Sequence, residues 1–413
     1  MTSAPAPANS PRFRRSRLPV AAAACAALTA VTLGTVATPA LASPANKPAT
    51  TATATANYND TLPPLNQDAL RTAISSAPTR TTAMLARVSG PAGHWTGTFG
   101  TADVSTKAPV PVDGRFRLGS VTKVFIATVI LQLAAEHRVD LDHPVQDYLP
   151  GTLPPSPAIK VRQLLNYTSG LPELTPDDLP TDPKGMVEHR FDDHPMAQLV
   201  AMAVKHSPPY APGTEQRYGS TGYYVAAMLI EKLTGHSYQQ EITRRILRPL
   251  HLRHTTAPQT DTAIHGPHTH GYLAVPQPDG SMELADVTEQ NPGAGGLIST
   301  TADLDRFLTA LFRGQLLPAA QQKELFTVPA IAEQQNSSTP AGKPRIAYSA
   351  GLMRITLPNG VTVWGKTGST FGYTDGMFAT RDLQRRLVYS FNPISAGGND
   401  AALVNKTVSA AFS

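Results

Sequence analysis

Ser120-Val121-Thr122-Lys123-Val124-Phe125-Ile126-Ala127-Thr128-Val129-Ile130-Leu131-Gln132-Leu133-Ala134-Ala135-Glu136-His137 is the stretch on which the fold turns. Beyond its first turn it is apolar on nearly every side, so as a helix it belongs in the middle of the molecule. A lysine one turn into such a helix is costly without a partner or a task. Ser120 and Lys123 fall on one side of the helix at its N-terminal end, where unpaired amides favour developing negative charge. A serine hydroxyl needs a base to become a nucleophile, and a lysine in apolar surroundings loses part of its preference for the charged form. Ser120 is therefore the candidate nucleophile and Lys123 the candidate base. Ser-x-x-Lys alone also describes a helix cap followed by a solvated lysine.

Upstream, a helix is expected near Asn66 to Ser75, followed by strands at Ala83–Val88 and His94–Phe99 around the turn Ser89-Gly90-Pro91-Ala92-Gly93. Downstream, helices fit Met196–Lys205, Thr221–Thr234 closed by Gly235, and Thr301–Arg313 closed by Gly314. After about residue 345 the pattern changes to strands: Ile346–Leu357, a Pro358-Asn359-Gly360 turn, Val361–Lys366, Gly372–Ala379 and Arg386–Phe391, then a terminal helix. Both ends of the chain thus supply an antiparallel sheet, with a mainly helical domain inserted at roughly 125–330, and the cleft between the two parts is the natural site.

Two further elements carry candidate chemistry. Pro212-Gly213-Thr214-Glu215-Gln216-Arg217-Tyr218-Gly219-Ser220 is a turn that delivers a tyrosine and a serine just before a helix. One reading makes Ser220 an ordinary N-cap; the functional one makes Tyr218 a proton shuttle whose phenolate is stabilised by Lys123 and Lys366. Trp364-Gly365-Lys366-Thr367-Gly368-Ser369 lies on a strand, where a lysine beside a hydroxyl can hold a substrate carboxylate and glycine lets the backbone approach a ligand. Gly360, Gly365, Lys366 and Thr367 also satisfy a P-loop pattern, but that pattern needs a strand before it and a helix after it, and here it falls on a strand. His265, His268 and His270 share a loop without a supporting carboxylate or cysteine cluster, so no metal is assigned and no cofactor is expected.

Arg12, Arg14, Arg15 and Arg17 precede an alanine-rich apolar run from Leu18 to about Val36 that ends at Ala40-Leu41-Ala42. Basic start, apolar middle and small-residue cleavage site are the three parts of a signal peptide, expected over residues 1–42 with cleavage after about Ala42 and secretion of the product. Thr29, Thr32 and Gly34 dilute the run and no basic stop-transfer flank follows, so it does not read as a membrane span. The route, Sec or Tat, stays open. Cys25, the only cysteine, lies inside this segment, which leaves the mature chain without a disulfide. Residues 43–64, rich in Pro, Ala and Thr, read as a flexible linker to a domain over 65–413. Loss of residues 1–42 takes the formal net charge from +5 to +1. The overall basicity therefore argues for no nucleic-acid partner.

Taken together and in this order, the three elements resemble those of the serine penicillin-recognising enzymes, particularly the secreted D-alanyl-D-alanine carboxypeptidases and class C β-lactamases. The likeness runs from roughly Leu65 to the C-terminus. It extends to Arg115-Phe116-Arg117-Leu118-Gly119, Val161-Arg162-Gln163-Leu164-Leu165-Asn166-Tyr167-Thr168-Ser169-Gly170-Leu171 and Gly295-Gly296-Leu297-Ile298-Ser299-Thr300-Thr301-Ala302-Asp303-Leu304. The resemblance implies an α/β (α+β) β-lactamase/transpeptidase-like fold with a five-stranded antiparallel sheet and flanking helices. It also implies acyl transfer: Ser120 attacks a carbonyl, Lys123 and Tyr218 move the proton, the amides of Ser120 and Ser369 form the oxyanion hole, and water hydrolyses the acyl-enzyme. Ser220, Lys366, Thr367 and Gly368 would bind substrate. The implied activity is D-alanyl-D-alanine carboxypeptidase on peptidoglycan stem peptides, by a monomer, with β-lactams as inhibitors or substrates. An esterase, a D-amino-acid amidase or peptidase, a β-lactamase, and a non-catalytic wall-binding module are the alternatives.

The chain departs from the family pattern at several places. Ser220 stands where asparagine is usual, and Tyr167 where histidine is usual. The stretch Thr288–Ala294 is short and lacks a tryptophan, and Met353-Arg354 leaves open whether an arginine reaches a substrate carboxylate.

Overall fold

The computed structural model describes residues 62–76, 80–155, 157–293, 296–337, 339, 344–396 and 401–413. The expected signal peptide and nearly all of the linker lie outside them. The N-terminal part comprises α1 (Gln67–Ser75), β1 (Thr81–Gly90), β2 (Gly93–Asp103), β3 (Ala108–Pro109), β4 (Phe116–Arg117) and α2 (Thr122–Ala135). The middle contains α3 (Val145–Tyr148), α4 (Val161–Leu165), α5 (Pro183–Glu188), α6 (Met196–Ala203), α7 (Thr221–Thr234), and α8 (Tyr238–Ile242) running into a π-helical turn, Thr243–Leu247. There follow β5 (Tyr272–Pro276), β6 (Met282–Asp286), β7 (Ile298–Ser299), α9 (Thr301–Phe312), α10 (Ala319–Leu325) and α11 (Ala330–Ser337). The C-terminal part is β8 (Arg345–Tyr348), β9 (Met353–Thr356), β10 (Thr362–Thr370), β11 (Tyr373–Thr380), β12 (Arg386–Pro393) and α12 (Ala401–Phe412).

One antiparallel sheet runs β3-β2-β1-β12-β11-β10-β9-β8, so the first long strand pairs with the last and the two chain ends close the sheet between them. It has eight strands rather than five. The central β2, β1, β12, β11 and β10 match the expected set, β3 widens one edge, and β8 and β9 widen the other. The stretch Ile346–Leu357 is two strands, not one. Ser349 donates its amide to the Leu352 carbonyl at 2.9 Å, and Gly351, at φ +85°, packs so closely on α2 that a Cβ would lie 2.7 Å from that of Ala127. The insertion also contains the hairpin β5–β6 alongside its helices.

Each face of the sheet buries apolar side chains against helices. On one, Leu70 and Ile74 of α1 and Leu403 and Phe412 of α12 pack on Met84, Val88, Phe378 and Phe391. On the other, Trp364, Met377 and Val388 meet the helical insertion, centred on α2. From Thr122 to Leu131 every α2 residue is buried, and Phe125 stacks on Phe307 of α9 with ring centroids 3.8 Å apart. The central position expected for this helix follows directly from its lack of a polar face. Among the described residues, no helix is long and apolar enough to cross a membrane.

Candidate active site

Ser120 sits where α2 meets the sheet, and its position is set from both sides. Upstream, β4 pairs with β7, Leu118 donates its amide to Leu297 at 2.7 Å, and buried Arg117 donates to the Thr288 carbonyl at 2.9 Å. Downstream, the chain enters α2 through tight i to i+3 turns: Thr122 to Gly119 at 3.0 Å and Lys123 to Ser120 at 3.1 Å. Between these anchors Gly119 lies directly against β10. A Cβ on it would fall 2.2 Å from the Ser369 carbonyl oxygen and 2.4 Å from the Ser369 nitrogen, so only glycine fits. The backbone segments of Ser120 and Ser369, the two expected to supply amides to an oxyanion, are thereby brought together.

Lys123 Nζ donates to Ser120 Oγ at 3.0 Å and to Ser220 Oγ at 3.2 Å, and the Tyr218 hydroxyl donates to Ser120 Oγ at 2.5 Å. Lys366 Nζ stands over the Tyr218 ring, 4.4 Å from its centroid, and donates to the Thr367 carbonyl at 2.8 Å. Ser120, Lys123, Tyr218, Ser220 and Lys366 therefore meet in one place, although α2, the loop before α7, and β10 are far apart in sequence. The Ser220 hydroxyl does not cap α7, contrary to the ordinary N-cap reading; it faces Lys123 instead. Thr367 and Gly368 follow Lys366 along β10, and the strand continues to Thr370 before turning into β11. The helix that a P-loop requires after its threonine does not occur.

Burial shapes the charges here. Lys366 is 1% exposed, and burial first, then the nearby Lys123, hold its pKa well below that of an ordinary lysine. Asp375 on β11, fully buried, was not singled out in the sequence. Burial pushes its carboxyl up to about 7, against the opposing pull of the Gly119 amide and Lys366. It accepts the Gly119 amide at 3.3 Å and packs on Gly368, where a Cβ would come within 2.5 Å of the carboxylate. It lies beneath the junction of the nucleophile loop with β10.

The tyrosine that replaces the family's usual histidine has a packing role. Tyr167, at φ +62°, is buried with its ring 5.0 Å from that of Tyr218, 5.4 Å from Tyr223 and 4.9 Å from Tyr348. Its carbonyl accepts the Arg217 amide at 3.0 Å, one residue before Tyr218. Gln216 completes the support, donating to the carbonyls of Asn166 and Tyr348 and accepting the Tyr348 amide. Gln290, within the short stretch noted in the sequence but given no role there, donates to the Phe371 carbonyl at 3.1 Å and accepts from Thr370 at 3.1 Å, tying its segment to the β10–β11 turn. Arg354 is engaged by Glu333 at 2.6 and 2.8 Å and lies over the Trp364 ring. His265 pairs with Asp261, His270 with Asp286, and His268 with the Gly266 carbonyl, while the rings of His268 and His270 stack 5.0 Å apart.

The Beta-lactamase family model matches residues 70–393. Penicillin-binding protein 4* of Bacillus subtilis (strain 168) is 27% identical over 312 residues, 71% of this chain and 64% of that protein. Protein flp of Staphylococcus aureus (strain N315) is 28% identical over 263 residues, 61% of this chain and 48% of that protein. The alignments thus span between about half and two thirds of these curated relatives. Among solved structures, a D-stereospecific amidohydrolase from Streptomyces sp. superposes with a TM-score of 0.73 at 36% identity, covering 84% of this chain and 98% of that one. A D-amino acid amidase from Ochrobactrum anthropi SV3, complexed with L-phenylalanine, gives 0.68 at 25% identity with the same coverages. Since the family match runs from α1 through β12 and takes in every residue that converges on Ser120, the chain belongs to the β-lactamase family, as a serine hydrolase of the β-lactamase and penicillin-binding protein kind.

Proposed function

We propose that this chain is a D-stereospecific serine amide hydrolase that works through an acyl-enzyme on Ser120. The observation that carries the chemistry is the convergence of Lys123 Nζ and the Tyr218 hydroxyl on Ser120 Oγ. Ser120 Oγ attacks the carbonyl carbon, and its proton passes to the Lys123–Tyr218 pair. The negative oxygen is held by the amides of Ser120 and Ser369, and the returned proton leaves with the amine as the C–N bond breaks. Water then attacks the ester, the acid departs and Ser120 regains its proton. Lys366 lines the site beside this pair, its amine 4.4 Å from the centroid of the Tyr218 ring.

The choice of amide rests on how the cations are disposed. Arg354 is occupied by Glu333, and Lys366 is buried, disfavoured as an ammonium and bonded to the Thr367 carbonyl. A neutral carboxamide leaving side suits that site better than a free carboxylate. Similarity to a D-stereospecific amidohydrolase and a D-amino acid amidase supports the same substrate class. The second reading is the D-alanyl-D-alanine carboxypeptidase. It is favoured by the Lys366-Thr367-Gly368 strand edge, a lysine and hydroxyl beside a glycine, and by the likeness to a penicillin-binding protein.

The test is to incubate the purified protein with D- and L-amino-acid amides, with a D-Ala-D-Ala peptide and with a fluorescent penicillin. Released ammonia or D-alanine and the intact protein mass are then followed. Hydrolysis of D-amides with L-amides spared, lost in Ser120→Ala, is the expected result. D-alanine release without amide hydrolysis would select the second reading. No turnover and no adduct on Ser120 would sink both. Export belongs to the same proposal: N-terminal sequencing of protein from the culture medium is expected to begin near Ser43, whereas an intact Met1 in the cells would refute it.

A further inference from the structure

The N-terminus of α7 is capped from outside its own segment. Ser220 occupies the cap position, where a serine hydroxyl ordinarily accepts an amide of the first turn, yet its hydroxyl makes no such bond. A carboxylate instead binds the two amides just ahead of those that such a hydroxyl would take. Glu173, two residues beyond Leu171, accepts the Ser220 amide at 2.7 Å on Oε2 and the Thr221 amide at 3.2 Å on Oε1. Gly219 makes room for it, since a side chain there would begin 2.1 Å from Oε1. Burial raises the carboxyl's pKa, and the two amides and the charge of Lys123 oppose that rise, so the ionised form has specific partners. A negative group also suits the positive end of a helix.

The consequence lies in what the Ser220 hydroxyl is left to do. Not engaged with the helix, it stands 3.2 Å from Lys123 Nζ, and the same Nζ is 3.0 Å from Ser120 Oγ. A serine reaches less far than the asparagine usual at this position, so its backbone has to be held in place for the hydroxyl to meet the lysine. We infer that Glu173 is a positioning residue for acylation: it binds the backbone amides of Ser220 and Thr221 at the start of α7 and so holds the Ser220 hydroxyl against Lys123, fixing the amine on the nucleophile. This inference rests on the reading of Ser120 as the nucleophile.

The test uses the full chain and a fluorophosphonate probe, which phosphonylates an activated serine whatever acyl group the enzyme prefers. Labelling rates are compared for the wild type, Glu173→Ala, Glu173→Gln, Ser220→Ala and the Glu173→Ala/Ser220→Ala double variant. Loss of alignment at a reacting centre is expected to slow Glu173→Ala on the order of ten- to a hundredfold. Glu173→Gln keeps an oxygen for the Ser220 amide and is expected to recover most of the rate. The double variant should be no slower than the slower single one, because both substitutions break the same unit. Glu173→Asp, which keeps the charge but withdraws it by one methylene, serves if the alanine variant does not fold, and it too should be slow. Wild-type labelling rates in Glu173→Ala or Glu173→Asp, or single effects that multiply in the double variant, would overturn the inference. An unlabelled wild type would instead overturn the nucleophile reading itself, which separates the two failures.

Discussion

A single added methyl at Gly119 would strike the Ser369 backbone at 2.2 to 2.4 Å, and this contact joins the nucleophile loop to β10. Gly119→Ala is therefore expected to push the loop away from the strand and to separate the two amides proposed to hold the oxyanion. Loss of one oxyanion donor costs about 10²–10³ in rate, and an effect of that order is expected in single-turnover labelling of Ser120. A near-normal rate would show that the two amides do not act together. Asp375, just beneath, makes a prediction in pH. Burial raises its folded pKa to about 7, above the ordinary carboxylate range, so between that range and pH 7 the native protein holds a proton that the unfolded chain releases. The stability it contributes is complete at low pH and is lost as the pH rises toward about 7. Asp375→Asn cannot ionise and keeps an acceptor for Gly119. Its melting temperature relative to wild type should climb from about pH 4 to pH 7 and then level off; a difference independent of pH would refute the assignment. Ser120 and Lys123 were legible in the sequence because a lysine inside an apolar helix breaks the pattern around it. Asp375 and Glu173 were not. Their partners are backbone amides of distant segments, and no spacing of side chains records such bonds.

At the scale of elements, legibility follows the strength of the local rule. The ends of α7 and α9 were readable at Gly235 and Gly314, which adopt φ +76° and +71°, values few other residues tolerate. The hairpin β5–β6 escaped notice because its turn, Pro278-Asp279-Gly280, sits beside a histidine-bearing loop and its strands are short, with β6 largely exposed. The division between β8 and β9 escaped because Ser349-Ala350-Gly351-Leu352 is as apolar as the strands around it, and only the approach of Gly351 to Ala127 reveals why the chain must turn there. The same helix bears Lys123 at one end and touches the turn between β8 and β9, α7, α8, α10 and, through Phe125, α9 along its length. Phe125 stacks on Phe307 with ring centroids 3.8 Å apart and so joins α2 to α9. Phe125→Ala removes a fully buried ring and is expected to cost about 3–5 kcal/mol. It should also loosen the nucleophile, so the labelling rate of the folded fraction should fall as well. A stable variant with an unchanged rate would mean that α2 is held by its other neighbours.

For the whole molecule, the decisive fact is that the first long strand, β1, pairs with the last, β12, and that α1 and α12 cover the same face. The sheet therefore closes only when both ends of the domain are present. Arg385, at the entry to β12, links those ends. It is 1% exposed, and its guanidinium donates to the Ala411 carbonyl near the end of α12 at 2.7 Å and to the Pro63 carbonyl just before α1 at 2.5 Å. Burial lowers its pKa, and its value lies in satisfying two carbonyls that would otherwise lose water without gaining a partner. Arg385→Met keeps the apolar stem and removes both bonds. Each stranded carbonyl is worth about 1–3 kcal/mol, so the melting temperature should fall by several degrees. The site lies on the opposite face of the sheet, so the rate of Ser120 labelling below the melting range should stay at the wild-type value. Falling labelling without a falling melting temperature would mean that the closure of the chain ends is felt at the nucleophile, and that the sheet transmits their docking rather than only supporting it.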